Sequence, residues 1–370
     1  MLLVHFPGYL TDLGATEALI GVLYSAAAFV ALLFRPLFGR VLDLTHRRTV
    51  MLVVGGVNTA IVLLYATTGD WNVYLWTLFV VQRVTQIALF TTMLTYGADS
   101  IPAKRRTQGL AFFGLSGLIP LSIGGLVGDV AIELVGFNGL FVLSAAAGLS
   151  AWIIIWTLPV LPVRGRQPRR GFFSALAQKN LLPIWFVTLL FAVGLESIFT
   201  YTRTFVDATS IGTTGLFFGV YGAVAAATRL LGGNRYDLVS HRVLIVGSIV
   251  LYGVGLALMG LATAVPMLVL AAAAVGAAHG AVFPLLSSEV VNRSRTAERG
   301  SAMSIFTSIF DISILIGVPI VGFLIEGIGY RFGWTSLAIT LLVGSAVYWF
   351  WDRRLVAGSA LVAEEVGEQS

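Results

Sequence analysis

The sequence predicts an all-α membrane protein built from two pseudo-symmetric six-helix bundles, and three observations support this prediction. First, only 11% of the 370 residues are charged, 57% are hydrophobic, and the mean hydropathy is +0.91. Soluble domains carry about 25% charged residues, so this chain has too little polar surface to face water on every side and needs lipid as its solvent. The other two observations are a series of long apolar runs and an internal repeat.

Eleven apolar runs are long enough to cross a bilayer, which takes about 20 helical residues. Ahead of them lies a shorter apolar segment, 1–10, which we expect to be the remnant of a further helix. Tryptophans near the ends of the runs are typical of an interfacial aromatic belt: Trp71, Trp156, Trp185, Trp334, Trp349 and Trp351. The runs lie at 16–38, 48–67, 72–97, 107–132, 138–160, 182–204, 212–232, 242–262, 265–290, 300–325 and 330–351.

The basic residues predict the orientation of the helices, because loops rich in Lys and Arg stay in the cytoplasm. Alternate connections between the runs hold eighteen Lys and Arg residues on one side and two, Arg203 and Arg331, on the other. We therefore expect a multi-pass protein of a prokaryotic plasma membrane, with a cytoplasmic linker at 163–181 and a cytoplasmic tail at 355–370. The two transmembrane bundles are expected at 1–162 and 182–354.

The chain repeats itself at an offset of 194 residues. The string RPLFGRVLDLTHRR begins at Arg35, the string RLLGGNRYDLVSHR begins at Arg229, and both follow the pattern R-x3-G-x3-D-x3-[RH]-R. Two parallel repeats with a binding site between them are a known transporter design. The same offset places the start of the first helix before residue 1, so the sequence also predicts a truncation or a misplaced start within that helix.

Three motifs carry a resemblance to a known family. Arg35–Arg48 resembles the signature between the second and third helices of the major facilitator superfamily, although Leu44 and His46 depart from it. The glycine-rich string GLSGLIPLSIGG at 114–125, and an Arg and a Gln at 83 and 86, are similar to motifs of its twelve-helix drug/proton antiporter branch. The resemblance implies the major facilitator fold over essentially the whole chain.

The resemblance also implies a conformational latch at the repeated motif. Within it, Asp43 is expected to accept bonds from Arg47 or to face the positive N-terminal end of the helix that begins near Gly300. The alternative is that the basic residues of the motif serve only as topology anchors. The residues expected in the latch are Gly39, Asp43, Arg47, Arg48, Gly233, Asp237, His241 and Arg242.

Five polar residues are expected at bilayer depth, where a charge costs about 2.5–3.5 kcal/mol on insertion scales and therefore indicates a function. They are Arg83, Gln86, Glu196, His279 and Asp311. In the fold that the resemblance implies, the first four lie on or near the substrate path, with Glu196 in the outer half of its helix. Asp311 would lie between the halves, against the helix at 16–38.

Each of these residues has a plainer interpretation that the sequence leaves open. Arg83 can bond backbone carbonyls and Gln86, and Glu196 can lie in solvent at the outer mouth. His279 can be a neutral packing residue, and Asp311 can simply bond the neighbouring helix. If the residues do form a transport path, Glu196 and Asp311 are the candidates to carry a proton.

Several other function classes lack their residues in this sequence. The chain has no Cys and its four His are scattered, so we expect neither a metal site nor a cofactor. The motifs of metalloproteases, serine hydrolases and phosphate-binding loops are missing, so we expect no enzyme. The basic residues cluster in loops between apolar runs, which favours topology signals over a nucleic-acid partner.

We therefore expect a monomeric secondary transporter in the lipid bilayer that moves a small solute by alternating access, with proton-coupled export as the favoured form. Uptake of a metabolite or sugar by the same fold stays open, as does a truncated paralogue that does not transport. Arg83 suits an anionic or zwitterionic solute whereas Glu196 suits a cationic one, so the sequence leaves the substrate undefined.

Overall fold

The computed structural model describes residues 1–100, 106–161, 172–232, 239–295 and 298–368. Within these ranges, side chains are described except at 36, 39, 40, 42, 43, 98, 99, 106–114, 172, 173 and 356–368. The described chain forms helices joined by short turns, and it contains no strand. The predicted all-α fold class is confirmed.

Twelve α-helices follow one another along the described chain. A 3₁₀ turn at Tyr65–Thr67 follows α3, and a π-helical segment at Ser313–Gly317 joins α11 to α12. The helices are α1 (Leu2–Asp12), α2 (Glu17–Leu44), α3 (Arg47–Leu64), α4 (Val73–Ser100), α5 (Arg106–Thr157), α6 (Phe172–Leu176), α7 (Leu182–Thr209), α8 (Thr214–Gly232), α9 (His241–Gly260), α10 (Val265–Arg293), α11 (Arg299–Ile312) and α12 (Val318–Glu368).

The number of membrane crossings agrees with the eleven apolar runs. Nine stretches of the described chain are long and apolar enough to cross a membrane. Two of them, of 43 and 57 residues, are about two and three times as long as a bilayer requires. Each of these two contains a chain reversal, at Gly136 in α5 and at Gly329 in α12, and therefore holds two crossings. Nine stretches and two reversals give eleven crossings.

Four glycines with positive φ form turns on one face of the molecule. Gly14 (φ 86°) and Gly212 (φ 70°) precede α2 and α8, and Gly136 (φ 68°) and Gly329 (φ 80°) reverse the chain within α5 and α12. Side chains with a Cβ are disfavoured at such angles, which explains why glycine occupies these positions. The face that holds these four glycines is called the turn face below, and the opposite face, where α3 and α9 begin, is called the basic face.

The two halves, α1–α5 and α7–α12, meet in two matched interfaces. In one, α2 packs against α12, and in the other, α8 packs against α5. Small residues bring the backbones together, as they must where lipid removes the hydrophobic drive between helices. A Cβ at Gly322 of α12 would lie 2.6 Å from the carbonyl oxygen of Glu17, and one at Gly222 of α8 would lie 3.0 Å from that of Leu118.

The short first helix is packed into the first half. With 11 residues, α1 is about 16 Å long, roughly half of the hydrocarbon core of a bilayer. Eight of its residues are buried. The ring of Phe6 stacks on Phe79 at 5.2 Å between centroids, and Tyr9 meets Phe141 edge-on at 5.0 Å. Aromatic pairs of this kind add to the burial of apolar area and fix α1 against α4 and α5.

Three details of the sequence-based interpretation need correction. Trp334 is fully buried and Trp185 is only 7% exposed, so these two belong to the core of the second half rather than to an interfacial belt. α7 continues to Thr209 instead of 204, because the polar residues after its apolar run stay helical and pack against α1. The backbone of α12 is helical to Glu368, which includes most of the segment expected to be the tail.

Candidate transport path

Arg83 lies on α4 between two aromatic rings. Its guanidinium carbon is 4.6 Å from the centroid of the Tyr24 ring and 5.6 Å from that of Phe79. Its Nη1 atom donates a hydrogen bond of 3.4 Å to Oε1 of Gln86, one helical turn away. No carboxylate of the described chain comes within 4.0 Å of it. Cation–π contacts and one amide therefore stabilise a guanidinium that has no carboxylate partner in the described part of the chain.

Glu196 occupies the middle of α7, with 14 residues before it in the helix and 13 after it. This placement corrects the expectation of an outer-half position, since the apolar run ended five residues before the helix does. The backbone carbonyl of Glu196 accepts a bond from Thr200. Its side-chain carboxylate has no hydrogen bond or ion pair with any described residue. Electrostatic interactions connect this carboxylate to Arg83 of the other half and to Asp311.

Asp311 near the end of α11 forms an ion pair with Arg35 of α2, so the pair joins the two halves. Asp311 is 6% exposed. The guanidinium of Arg35 also donates to the hydroxyl oxygens of Ser308, at 2.9 Å, and Thr307, at 3.4 Å. Arg35 had entered the sequence analysis only as the first residue of the repeated motif. Its role is visible only in the fold, because its partner lies 276 residues further along the chain.

The helix carrying Asp311 changes its hydrogen-bond pattern directly after that residue. The segment Ser313–Gly317 is π-helical, and Pro319 follows two residues later. Ser25 of α2 donates a hydrogen bond of 2.6 Å to the carbonyl oxygen of Leu315 within this segment. Irregular backbone in a membrane is stable only where neighbouring groups satisfy it, and π-helical turns occur frequently at functional sites.

His279 of α10 lies in the core of the second half. Its ring nitrogen Nδ1 is hydrogen-bonded to the hydroxyl of Tyr221 on α8. The rings of Phe191 and Phe283 lie 5.6 Å and 6.2 Å from the imidazole, and only 9% of the residue is exposed. His279 is therefore enclosed by aromatic side chains within the second half.

The predicted latch is described only in part. Arg47 at the start of α3 is 7% exposed. Arg48 donates a hydrogen bond to the backbone carbonyl of Trp156, and its guanidinium lies 5.7 Å from the indole ring, so it joins helices of the same half. Four other predicted members of the latch cannot be placed: Gly233 and Asp237 lie outside the described residues, and the side-chain positions at Gly39 and Asp43 of α2 lie outside them too.

The second copy of the motif belongs to a charge network within the second half. His241 contacts Oε1 of Glu289 at 2.7 Å, and Arg242 donates to Oδ2 of Asp352 at 2.5 Å. Arg293 bonds both carboxylates and so completes the network. These contacts hold the basic-face ends of α9, α10 and α12 together, which makes this end of the second half a rigid unit.

The turn face holds cross-half contacts that sequence reasoning missed. Arg203 of α7 lies 3.7 Å from Asp129 of α5 and 3.4 Å from His5 of α1. In the other interface of the turn face, between α2 and α12, the Tyr330 hydroxyl donates to the carboxylate of Glu17 at 2.6 Å. The repeat gave no signal for these contacts, because at its offset of 194 Asp129 aligns with Phe323 and Glu17 aligns with Ile211.

Two related helix bundles with buried charges at their interface define a polytopic membrane protein of the class that carries solutes between its halves. The model of the Major Facilitator Superfamily matches residues 1–213 and 206–367. The chain belongs to this family. The protein is accordingly a secondary transporter whose substrates are small solutes.

Relatives and solved structures agree with this assignment. The chain is 28% identical over 356 residues to an uncharacterised MFS-type transporter of Burkholderia pseudomallei (strain 1106a), covering 93% of this chain and 86% of that one. It is 24% identical to an MFS-type transporter of Salmonella typhimurium (strain LT2), covering 93% and 90%.

Three solved structures share the fold at low sequence identity. The nucleoside transporter NupG superposes with a TM-score of 0.75 at 16% identity, over 95% of this chain and 94% of that chain. A bacterial homologue of the lysosomal transporter Spinster, in an inward-facing state, gives 0.75 at 14% identity over 95% and 92%. A POT family transporter in complex with 5-aminolevulinic acid gives 0.79 at 12% identity over 95% and 91%.

Proposed function

We propose that this protein exports a small solute in exchange for protons, by alternating access at a site between its halves. The observation that carries the proposal is a pair of opposite charges, Arg83 in the first half and Glu196 in the second, that interact across the interface and have no ionic partner among the described residues. Charges at membrane depth are costly and mark substrate or ion pathways. A solute at this site supplies the missing partners.

The solute that suits both charges carries an anionic and a cationic group. The guanidinium of Arg83, braced by Tyr24 and Gln86, offers several donors to a carboxylate or phosphate. The carboxylate of Glu196 accepts a cationic group from the opposite half. A zwitterion therefore leaves neither buried charge unpaired, whereas a singly charged solute leaves one uncompensated at a cost.

Proton coupling is supported by the carboxylates that face a cation across the interface. Protonation of Asp311 removes the charge that holds Arg35, so proton binding changes a contact between the halves. Glu196 is the second candidate, since a proton and the cationic part of a solute compete for it. One proton moving through 150 mV releases roughly 3.4 kcal/mol, which sustains a solute gradient of about 300-fold at 1.4 kcal/mol per decade.

The direction of transport follows from two further parts of the proposal. The basic face is cytoplasmic, because loops rich in Lys and Arg stay inside, and Arg83 and Gln86 are similar to a signature of proton antiporters. We also propose that Asp43 of the repeated motif closes the basic face against α11, and that His279 supports Tyr221 behind the path.

The test uses inside-out membrane vesicles with an imposed pH gradient, acid inside, and a pH-sensitive dye in the lumen. Three probes are added in turn: zwitterionic norfloxacin, cationic ethidium and anionic benzoate. Addition of the zwitterion is expected to release protons from the vesicle lumen, and this release should be lost in Arg83→Ala and in Glu196→Gln. Arg354→Met, which removes a charge at an exposed position, is the control. Solute movement in the same direction as the proton would instead identify uptake, and a response to ethidium alone would exclude the paired-charge site.

A further inference from the structure

Two helices of the turn face are capped by carboxylates that belong to the opposite half. The backbone N–H of Gly215, the second residue of α8, donates to Oδ2 of Asp129 on α5 at 2.6 Å. The backbone N–H of Ala18, the second residue of α2, donates to Oε2 of Glu326 on α12 at 3.1 Å. These two interactions are called the reciprocal caps. In each, one half supplies the helix end and the other half supplies the charge.

The reciprocal caps are copies of one another. The two donors are 197 positions apart in the sequence, and so are the two acceptors, Asp129 and Glu326. The same offset relates further contacts deeper in the two interfaces. Ser25 bonds the carbonyl of Leu315 in one interface, and Gly222 lies against the carbonyl of Leu118 in the other. The caps therefore belong to the repeat that relates the two interfaces and are not two unrelated loop contacts.

Electrostatics makes each cap a contact that favours closure. The first N–H groups of a helix have no partner within the helix, and the N-terminal end carries about half a positive charge. A carboxylate at this end forms a hydrogen bond of the stronger, charge-assisted kind. When the halves separate at the turn face, both carboxylates leave the helix ends at the same time, so the caps stabilise only the closed state.

The surroundings of the two caps make them unequal. Asp129 is partly buried and has Arg203 of the second half at 3.7 Å, which adds to its attraction across the interface. Glu326 is exposed, although Glu17 beside its cap is held by the hydroxyl of Tyr330. Partly buried charges at helix ends contribute more than exposed ones, which water and salt screen. The cap from Asp129 is accordingly the stronger of the two.

Glycine allows the stronger cap to form. A Cβ on Gly215 would lie 2.5 Å from Oδ2 of Asp129 and 2.8 Å from the carbonyl oxygen of Gly125 and from Cα of Leu126. Any side chain at this position would therefore push the N-terminus of α8 away from α5. At Gly215 itself the two helix backbones meet with no side chain between them.

We propose that Asp129 and Glu326 are the paired residues that hold the turn face closed during the transport cycle, each by capping a helix of the opposite half. The proposal concerns only the opening of the turn face. It is independent of the direction of transport, of the solute and of proton coupling, so it stands or fails separately from the proposed function.

The test measures the width of the turn face directly. Because the chain has no cysteine, spin labels can be attached at Gly69→Cys and Thr263→Cys, exposed turn-face positions in opposite halves. Double electron–electron resonance in nanodiscs then gives the populations of closed and open turn faces. Size-exclusion profiles and helical circular dichroism establish that each variant is folded.

Each charge-removing variant is expected to increase the population with an open turn face. The change should be larger for the more buried carboxylate. Asp129→Asn should raise the open-to-closed ratio about tenfold and Glu326→Gln about threefold, and the double variant should multiply the two effects, to roughly thirtyfold. Glu133→Gln is the matched control, because it removes an exposed carboxylate one turn from Asp129 that caps no helix. An unchanged ratio in either single variant, or a shift of equal size in the control, would overturn the proposal.

A second variant tests the same contact without changing any charge. Gly215→Ala should open the turn face by forcing α8 away from the Asp129 cap. Gly247→Ala in α9, where an added Cβ meets no atom within 4 Å, should leave the distance distribution unchanged. If the distance distribution of Gly215→Ala equalled that of the parent protein, the approach of α8 to α5 would not control opening of the turn face. That result would contradict the proposal.

Discussion

The ion pair between Arg35 and Asp311 gives the most direct quantitative prediction. The Asp311 side chain is 8% exposed and that of Arg35 is 26% exposed. Removing one partner of a buried pair costs about 3–5 kcal/mol, mainly because the other charge is left uncompensated. Since Arg35 reaches some solvent, we expect about 2 kcal/mol for Asp311→Asn, reduced by screening. For Arg35→Met, which isolates the more buried carboxylate, we expect about 3 kcal/mol.

The double variant decides whether the pair acts as a unit. With both charges gone no ion is stranded, so Arg35→Met combined with Asp311→Asn should cost about 2–3 kcal/mol rather than the sum of the single costs, a coupling of roughly 2 kcal/mol. Reversible unfolding in mixed detergent micelles, followed by circular dichroism, measures these free energies. Arg354→Met is the control and should change the stability by less than about 0.5 kcal/mol. Strictly additive costs would refute the reasoning, because they would mean that the two charges do not depend on each other.

Three further predictions follow from the described contacts. Gly329→Ala should cost about 1–3 kcal/mol, because its φ of 80° and ψ of 163° suit only glycine, while Gly327→Ala, where a Cβ meets open space, should be neutral or slightly stabilising in the same unfolding assay. Tyr221→Phe removes the partner of His279 and should lower the unfolding free energy by about 1 kcal/mol with little effect on solute affinity. Arg83→Lys keeps the charge but loses the planar stacking and forked donors, so solute affinity in equilibrium binding should fall about tenfold while the fold is retained; an affinity equal to that of the parent would show that the guanidinium does not bind the solute.

Much of the architecture was predictable because it depends on local and repeated features. The crossings follow from apolar runs of bilayer length, and the agreement includes the two long helices whose reversals at Gly136 and Gly329 restore eleven crossings. The internal repeat predicted two related halves. The latch at Asp43 stays a prediction.

The partners of the buried charges were not predictable, because they depend on how distant helices meet. The sequence placed Asp311 against the second helix, yet nothing in it distinguished Arg35 from the other basic residues of the motif. Glu196 lies in the middle of α7 rather than in its outer half, because hydropathy marks the end of an apolar run, whereas α7 continues as a helix through polar residues that pack against α1. Asp129 was not identified from the sequence because it is one of several acidic residues near helix ends.

The internal repeat separates features that serve the framework from features that serve the solute. The turn-face caps occur in both halves, and so do the turn glycines: Gly14 and Gly136 in the first, Gly212 and Gly329 in the second. A framework that opens and closes symmetrically requires such matched contacts. The charges of the path have no counterparts: at the offset of 197 that relates the caps, Arg83 aligns with Gly280, and Asp311 aligns with Gly114. A charge that is present in only one half is not part of the repeated framework, and no equivalent contact in the other half offsets the free-energy cost of burying it. Its retention is best explained by an interaction that the frame itself does not supply, which is the solute or the proton.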